Sequence, residues 1–315
     1  MRSLTPHRIV SLLPSATEIV CALGLEDALV GITHECDYPL TVAGKPRLTA
    51  SRISHETMSS AEIDGAVHSQ LDGHGSIYGL DEERLRALEP DLIITQELCD
   101  VCAVSYKTVE QAARMFETEV RVVSLEPNTI EDIFANIRTI GELTGREAQA
   151  SEVVEGLRAR LERVNNALAD TKRRPRTLML EWLEPVFAPG HWVPEQVHAA
   201  GGDHGFGRAG QPSVRTTAEE INAYAPEVIV MIPCGYYKED ILRQLPRAHL
   251  PAGWSDLPAV RSNEVWAVDA TSYFSRPGPR VVDGVEILAR ILHPEIFGEP
   301  SAQEAVRVHP DLMKS

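Results

Sequence analysis

The chain has 315 residues, 43 % of them hydrophobic and 24 % charged, with a formal net charge of −16. That length exceeds one average domain and suits two. The acidic balance argues against a nucleic-acid partner, since neutralising phosphates takes clustered Lys and Arg, and no apolar run approaches the roughly 20 residues that span a bilayer.

Arg8-Ile9-Val10-Ser11-Leu12-Leu13 reads as a strand at once. It leaves no room for the apolar stretch of about 7 to 15 residues that a leader requires. The expectation is therefore a cytoplasmic chain whose five cysteines stay reduced. Pro14-Ser15-Ala16-Thr17-Glu18 opens a helix whose free N–H groups either hold an anion or are simply capped. The strand 30–33 runs into His34-Glu35-Cys36-Asp37-Tyr38-Pro39, and the strand 91–95 into Gln96-Glu97-Leu98-Cys99-Asp100-Val101-Cys102. Beyond Gly145, the apolar residues Val154, Leu157, Leu161, Val164 and Leu168 recur at spacings of three and four. This predicts a helix over 147–170, about 36 Å long, ended by the basic run Lys172-Arg173-Arg174-Pro175. A strand over 176–181 follows, then the loop Glu181-Trp182-Leu183-Glu184-Pro185-Val186-Phe187-Ala188-Pro189-Gly190-His191-Trp192. The strand 228–232 leads to Pro233-Cys234-Gly235-Tyr236-Tyr237. A further loop is Tyr273-Phe274-Ser275-Arg276-Pro277-Gly278-Pro279-Arg280. The tail from His293 carries little pattern.

The chain repeats itself. Arg84-Leu85-Arg86-Ala87-Leu88-Glu89-Pro90-Asp91-Leu92-Ile93-Ile94 matches Glu220-Ile221-Asn222-Ala223-Tyr224-Ala225-Pro226-Glu227-Val228-Ile229-Val230. Each is a short helix stopped at Pro and followed by an apolar strand. Residues 119–123 match 264–268, 8–13 match 176–181, and 18–24 match 195–201. Strands alternating with helices imply parallel sheets. The reading is an α/β chain of two Rossmann-like parallel-sheet lobes joined by one long α-helix, with a ligand cleft between them. The lobes cover residues 7–145 and 175–292, the connecting helix 146–172 and the tail 293–315.

In open parallel sheets ligands bind beyond the carboxyl ends of the strands, so the loops after each strand are the candidate site. They hold Cys36, Cys99, Cys102 and Cys234, a set of thiolates suited to zinc or an iron–sulfur cluster. The alternatives are small half-buried hydrophobes or a redox pair at Cys99 and Cys102. Cys21 lies off this set, on the first helix. The same loops carry the candidate ligand-binding residues Tyr38, Tyr78, Trp182, Phe187, Trp192, Tyr236, Tyr237, Phe274 and Arg276. Rings at a cleft mouth suit a large, flat, amphipathic ligand. Acidic residues outnumber basic ones there, which favours a neutral or cationic ligand over a polyanionic one.

The opening Arg8-Ile9-Val10-Ser11-Leu12 with Ala16-Thr17-Glu18, then Leu88-Glu89-Pro90-Asp91-Leu92-Ile93, together with the central helix, resembles the helical-backbone (class III) substrate-binding proteins of vitamin B12 and iron–siderophore ABC importers. The likeness covers about residues 7–292. Within it, Trp182 to Gly202 looks like the opening of the second lobe. The cysteine-bearing loops look like a cytoplasmic-looking, cobalamin-binding-like branch. The resemblance implies a non-enzymatic binding protein that closes on cobalamin or a related corrinoid or metal chelate, with an ABC transporter as partner. On that reading His34 or His191 either approaches the metal or is an ordinary surface or capping residue. The second reading is a metalloprotein holding a metal ion or iron–sulfur cluster through the four cysteines, as sensor or carrier. An enzyme built on Cys36 and His34 lacks a third catalytic member and an oxyanion hole.

Overall fold

The computed structural model describes residues 7–51, 58–74, 78–96, 109, 112 and 120–313. The chain falls into two compact units. The first comprises Met1–Ser54, Gly65–Pro127 and Glu131–Gly156, the second His55–Asp64, Asn128–Ile130 and Leu157–Ser315. In this division 58–64 and 128–130 group with the second unit.

The first unit holds a four-stranded parallel sheet in the order β2 (Leu29–Ile32), β1 (Ile9–Ser11), β5 (Leu92–Thr95), β6 (Arg121–Ser124). A separate antiparallel pair joins β3 (Thr49–Ser51) to β4 (Tyr78–Leu80). Ile9, Val10, Leu92, Ile93 and Ile94 are fully buried, as β-branched and aliphatic residues are when both faces of a parallel sheet are covered.

The second unit repeats the order with β10 (Asp203–His204), β7 (Arg176–Leu180), β12 (Val228–Met231) and β13 (Val265–Val268). Strands β1, β5 and β6 correspond to β7, β12 and β13, in the pairs that the internal repeat identified. The two helices that follow the first strand of each half end alike, at Gly24 with φ +71° and Gly201 with φ +82°. The left-handed region is nearly free of cost for glycine alone.

Each half also uses the same arginine clamp. Arg8 N–H donates to Asp91 Oδ1 at 3.1 Å, while Arg8 Nε donates to the carbonyls of Leu88 (2.8 Å) and Glu89 (3.2 Å). Arg176 N–H donates to Glu227 Oε2 at 3.1 Å, and Arg176 Nε to the carbonyls of Tyr224 (3.1 Å) and Ala225 (3.0 Å). Glu89 and Ala225 precede Pro90 and Pro226 and both sit at positive φ, 42° and 50°. Proline disfavours helical backbone in the residue before it, and the clamp satisfies carbonyls that the stopped helix leaves open.

Three features depart from the sequence reading. The long helix ends at Ala167, so its 21 residues span about 31 Å and not 36. On it Val154, Leu157 and Val164 are buried and Leu161 half-buried, and Leu168, just past its end, is buried as well. Arg160, on the part in the second unit, ion-pairs with Asp283 and Glu286. The tail is structured: β14 (Ala305–Arg307) pairs antiparallel with β13, which caps that sheet edge, and Arg307 lies over the Trp266 ring at 4.6 Å. Finally, β8 (Trp182–Leu183), β9 (Val186–Ala188) and β11 (Val214–Arg215) form a small antiparallel sheet. Its strands of two or three residues are too short for a period-2 signal.

Removing the second clamp tests its weight. Arg176→Leu is expected to lower stability by about 1–2 kcal/mol, the cost of leaving two helix-end carbonyls without their donor. Urea unfolding monitored by circular dichroism measures it, and Arg8→Leu should behave alike.

Candidate functional site

In the first unit, β1 leads through Leu12 and Leu13 into the helix Pro14–Ala22. Thr17 Oγ1 donates to Ser11 Oγ at 2.9 Å and lies 3.0 Å from Cys36 Sγ. Cys36 is 1 % exposed, so this thiol is an interior group tied to a hydroxyl. The loop after β2 is ordered by side chains. His34 Nδ1 is 2.7 Å from Thr49 Oγ1, which also accepts the His34 N–H at 3.0 Å. Arg47 donates to the His34 carbonyl. Tyr78 donates from its hydroxyl to Glu35 Oε1 at 3.1 Å, and its ring centroid is 5.4 Å from that of His34. Burial and the neighbouring Arg47 hold the His34 imidazole below its ordinary value. Tyr38, at a cis Tyr38-Pro39 bond, is 47 % exposed. After β5, Gln96 is buried, while Cys99 and Cys102 lie outside the described residues.

In the second unit the candidate loops are packed together. Glu181, just past β7, donates its N–H to the Phe187 carbonyl at 2.9 Å and accepts the Cys234 N–H on its own carbonyl at 3.1 Å. Burial pushes the Glu181 carboxyl above its ordinary value, and a hydrogen bond from Ser213 opposes that shift. Trp182 Nε1 donates to the carbonyls of Ser60 and Glu184 at 3.2 and 3.1 Å, and its ring meets Tyr236 edge-on at 5.5 Å. Trp192 Nε1 donates to the Phe274 carbonyl at 2.9 Å. Phe187 lies under the Arg215 guanidinium, 5.3 Å away.

The loops after β12 and β13 are joined by Lys238 and Asp269. Lys238 N–H donates to Asp269 Oδ1 at 2.7 Å, and Nζ lies 3.4 Å from Oδ2. Neighbouring carboxylates hold the lysine in its charged form against burial.

Of the residues singled out in the sequence, Trp192, Tyr236, Phe274 and Arg276 are buried, and the three rings spend their surface on packing. Tyr78, Trp182, Phe187 and Tyr237 are half-buried and Tyr38 exposed. Cys234 is half-buried in the second unit. Among the described residues no group of three or more His, Cys, Asp and Glu side chains is placed to hold a metal ion. Sequence reasoning missed Lys238 with Asp269, Ser213, and also Asn128, whose side-chain carbonyl is 3.2 Å from His191 Nδ1. Asn128 and Asp269 share a signal of position, since they follow the equivalent strands β6 and β13.

Similarity to known proteins agrees with this architecture. The chain is 26 % identical over 307 residues to an uncharacterized ABC transporter substrate-binding lipoprotein, YvrC, of Bacillus subtilis, covering 93 % of this chain and 82 % of that one. It is 25 % identical over 284 residues to a vitamin B12-binding protein of Vibrio cholerae, covering 89 % and 87 %. A crystal structure of a periplasmic heme-binding protein from Pseudomonas aeruginosa superposes with a TM-score of 0.70 at 20 % identity, over 92 % and 94 % of the two chains. These relatives overturn the cytoplasmic location. One is a substrate-binding lipoprotein, and the family model that matches the chain is of periplasmic binding proteins, so the early strand at Arg8 is a sound reading of the fold and a poor guide to the compartment. The argument that the thiols stay reduced lapses with it. A model of periplasmic binding proteins matches residues 9–271, so the chain belongs to the periplasmic binding protein family, a family of binders and not of enzymes.

Proposed function

We propose that this chain is the substrate-binding component of an ABC importer and that its ligand is a corrinoid, cobalamin or a close relative. The observation that carries the ligand class is the 25 % identity to a vitamin B12-binding protein along 89 % of the chain. The chemistry of the loops supports it. Tyr38, Phe187, Tyr237 and Trp182 keep ring surface accessible beside strand ends, and rings of that kind suit a broad, flat, amphipathic molecule.

The reading in which Cys36, Cys99, Cys102 and Cys234 hold a metal gains no support from Cys36, whose sulfur is interior and bonded to Thr17.

Titration with cyanocobalamin, followed by tryptophan fluorescence, is expected to show one site with a Kd of about 1 μM or tighter, roughly −8 kcal/mol. Absence of binding would refute the ligand assignment. Tyr38→Ala and Phe187→Ala should each weaken binding by about 3- to 10-fold, the equivalent of one ring contact, with the circular dichroism spectrum unchanged.

Stability should also carry the mark of Glu181. Its folded pKa is raised, so its contribution is present at acid pH and is lost as pH rises through the folded value. Glu181→Gln is therefore expected to raise the melting temperature at pH 7 and to change it little near pH 4. An equal effect at both pH values would contradict the assignment.

A further inference from the structure

His191 sits in the left-handed backbone region, with φ +50°, which residues carrying a Cβ enter uncommonly and histidine more readily than most. The chain around it enforces this. His191 N–H donates to the Gln211 carbonyl at 2.6 Å, and its own carbonyl accepts the Gly210 N–H at 3.0 Å. Gly190 N–H donates to Ser213 Oγ at 3.2 Å, and a Cβ on Gly190 would come within 2.0 Å of the Gln211 carbonyl oxygen. These bonds fix the direction in which the His191 side chain leaves the backbone.

The ring is fixed as well. Its Nδ1 is 3.2 Å from Asn128 Oδ1. A carbonyl oxygen only accepts, so Nδ1 carries the hydrogen and the neutral ring keeps its lone pair on Nε2. The indole of Trp192 lies against the imidazole at 5.8 Å and is itself anchored to Phe274. Burial lowers the His191 pKa, which favours the neutral form at physiological pH. Nε2 has no hydrogen-bond partner among the described residues. His34 offers less: its Nδ1 faces the hydroxyl of Thr49, which donates or accepts and so leaves the tautomer open.

A neutral imidazole, oriented by an oxygen on one nitrogen and bearing a lone pair on the other, is how proteins present histidine to a metal. We infer that His191 Nε2 ligates the metal of the bound macrocycle as an axial donor, and that the turn held by Gln211 and Gly210 presents it. This rests on the ligand class proposed above. The step is a simple exchange: a bond forms from Nε2 to cobalt, the bond from cobalt to water breaks, and the water leaves without change of oxidation state.

Diaquocobinamide is the probe, because it lacks the nucleotide base that would otherwise fill an axial position. Binding to the wild-type protein is expected to shift the visible bands. After reduction to Co(II), the electron paramagnetic resonance spectrum should show splitting from one axial nitrogen. His191→Gly removes the ligand and relieves the backbone, since glycine accepts positive φ, and His191→Asn is a second variant that tolerates it. Both should fold and bind cobinamide without the band shift, and added imidazole should restore the shift. Asn128→Ala should keep the shift and weaken binding by about 10-fold, as loss of a ring-orienting partner does. Binding by the wild type without a shift, or a shift retained in both His191 variants, would overturn the axial role and leave the ligand class standing. Failure of the wild type to bind cobinamide and cyanocobalamin alike would overturn both.

Discussion

The fold depends on an arginine placed at the start of the first strand in each half. Arg8 and Arg176 reach the carbonyl ends of helices that stop at Glu89 and Ala225, where proline follows and the backbone turns left-handed. Their own N–H groups are held by Asp91 and Glu227. The two ends of the crossover are thereby tied to each other, and the register follows: Ile9 beside Leu92 in one sheet, Leu178 beside Ile229 in the other. A one-residue slip would turn buried side chains to the opposite face. With the amino ends fixed, the carboxyl ends of the central strands finish level, and the loops that leave them start from a rigid base. That is why loop chemistry can vary in this architecture while the sheets do not.

Rigidity of the base has a consequence for the aromatic residues. A ring near a strand end can pack down onto the sheet or stay accessible, and backbone partners decide which. Trp192 packs down because its indole N–H finds the Phe274 carbonyl, which meets the need of a buried indole for an acceptor. Phe187 has no polar atom to satisfy and stays at the edge, under Arg215. Hence the rings closest in sequence to His191 serve to stiffen its turn, and those farther along the hairpin remain available to a ligand. Stiffness at His191 also comes from its backbone, whose N–H and carbonyl are held by Gln211 and Gly210.

The sheets were legible in the sequence because hydrophobic runs and proline stops are local signals. Pro90 and Pro226, each followed by an acidic residue and three or four aliphatic ones, mark the same corner twice. The long helix was legible from its stripe, though its end was placed three residues late because Leu168 is buried just beyond the last helical turn. The hairpin of β8 and β9 was hidden by its brevity, and β14 by the absence of alternation in Ala305-Val306-Arg307. Side-chain fate was the least legible. Tyr236 and Tyr237 are adjacent, and only the first is fully buried. Nothing in the dipeptide says which ring faces the interior, because that choice belongs to the neighbours at Trp182 and Thr271. The pairing of Asn128 with His191 joins residues 63 apart and leaves no trace in local pattern.

The two halves differ most where ligand chemistry would have to be written. In the first, β1 passes through only Leu12 and Leu13 before its helix begins at Pro14. In the second, residues 181–192 intervene between β7 and the helix that begins at Val193, and they contain Glu181, the β8–β9 hairpin, Phe187 and the turn at His191. The clamp, the sheet order and the glycine stop at the helix end are kept on both sides of that insertion. A repeat that preserves its framework and departs at one strand end places its constraint on stability in the shared part and its freedom to specialise in the other. The inserted segment is also the costlier one to keep, since it carries a carboxyl desolvated by burial, a histidine at positive φ and a glycine with no room for a side chain. Departures of that kind from local preference gather at functional or strained positions, and here they gather at this strand end and not at its counterpart after β1.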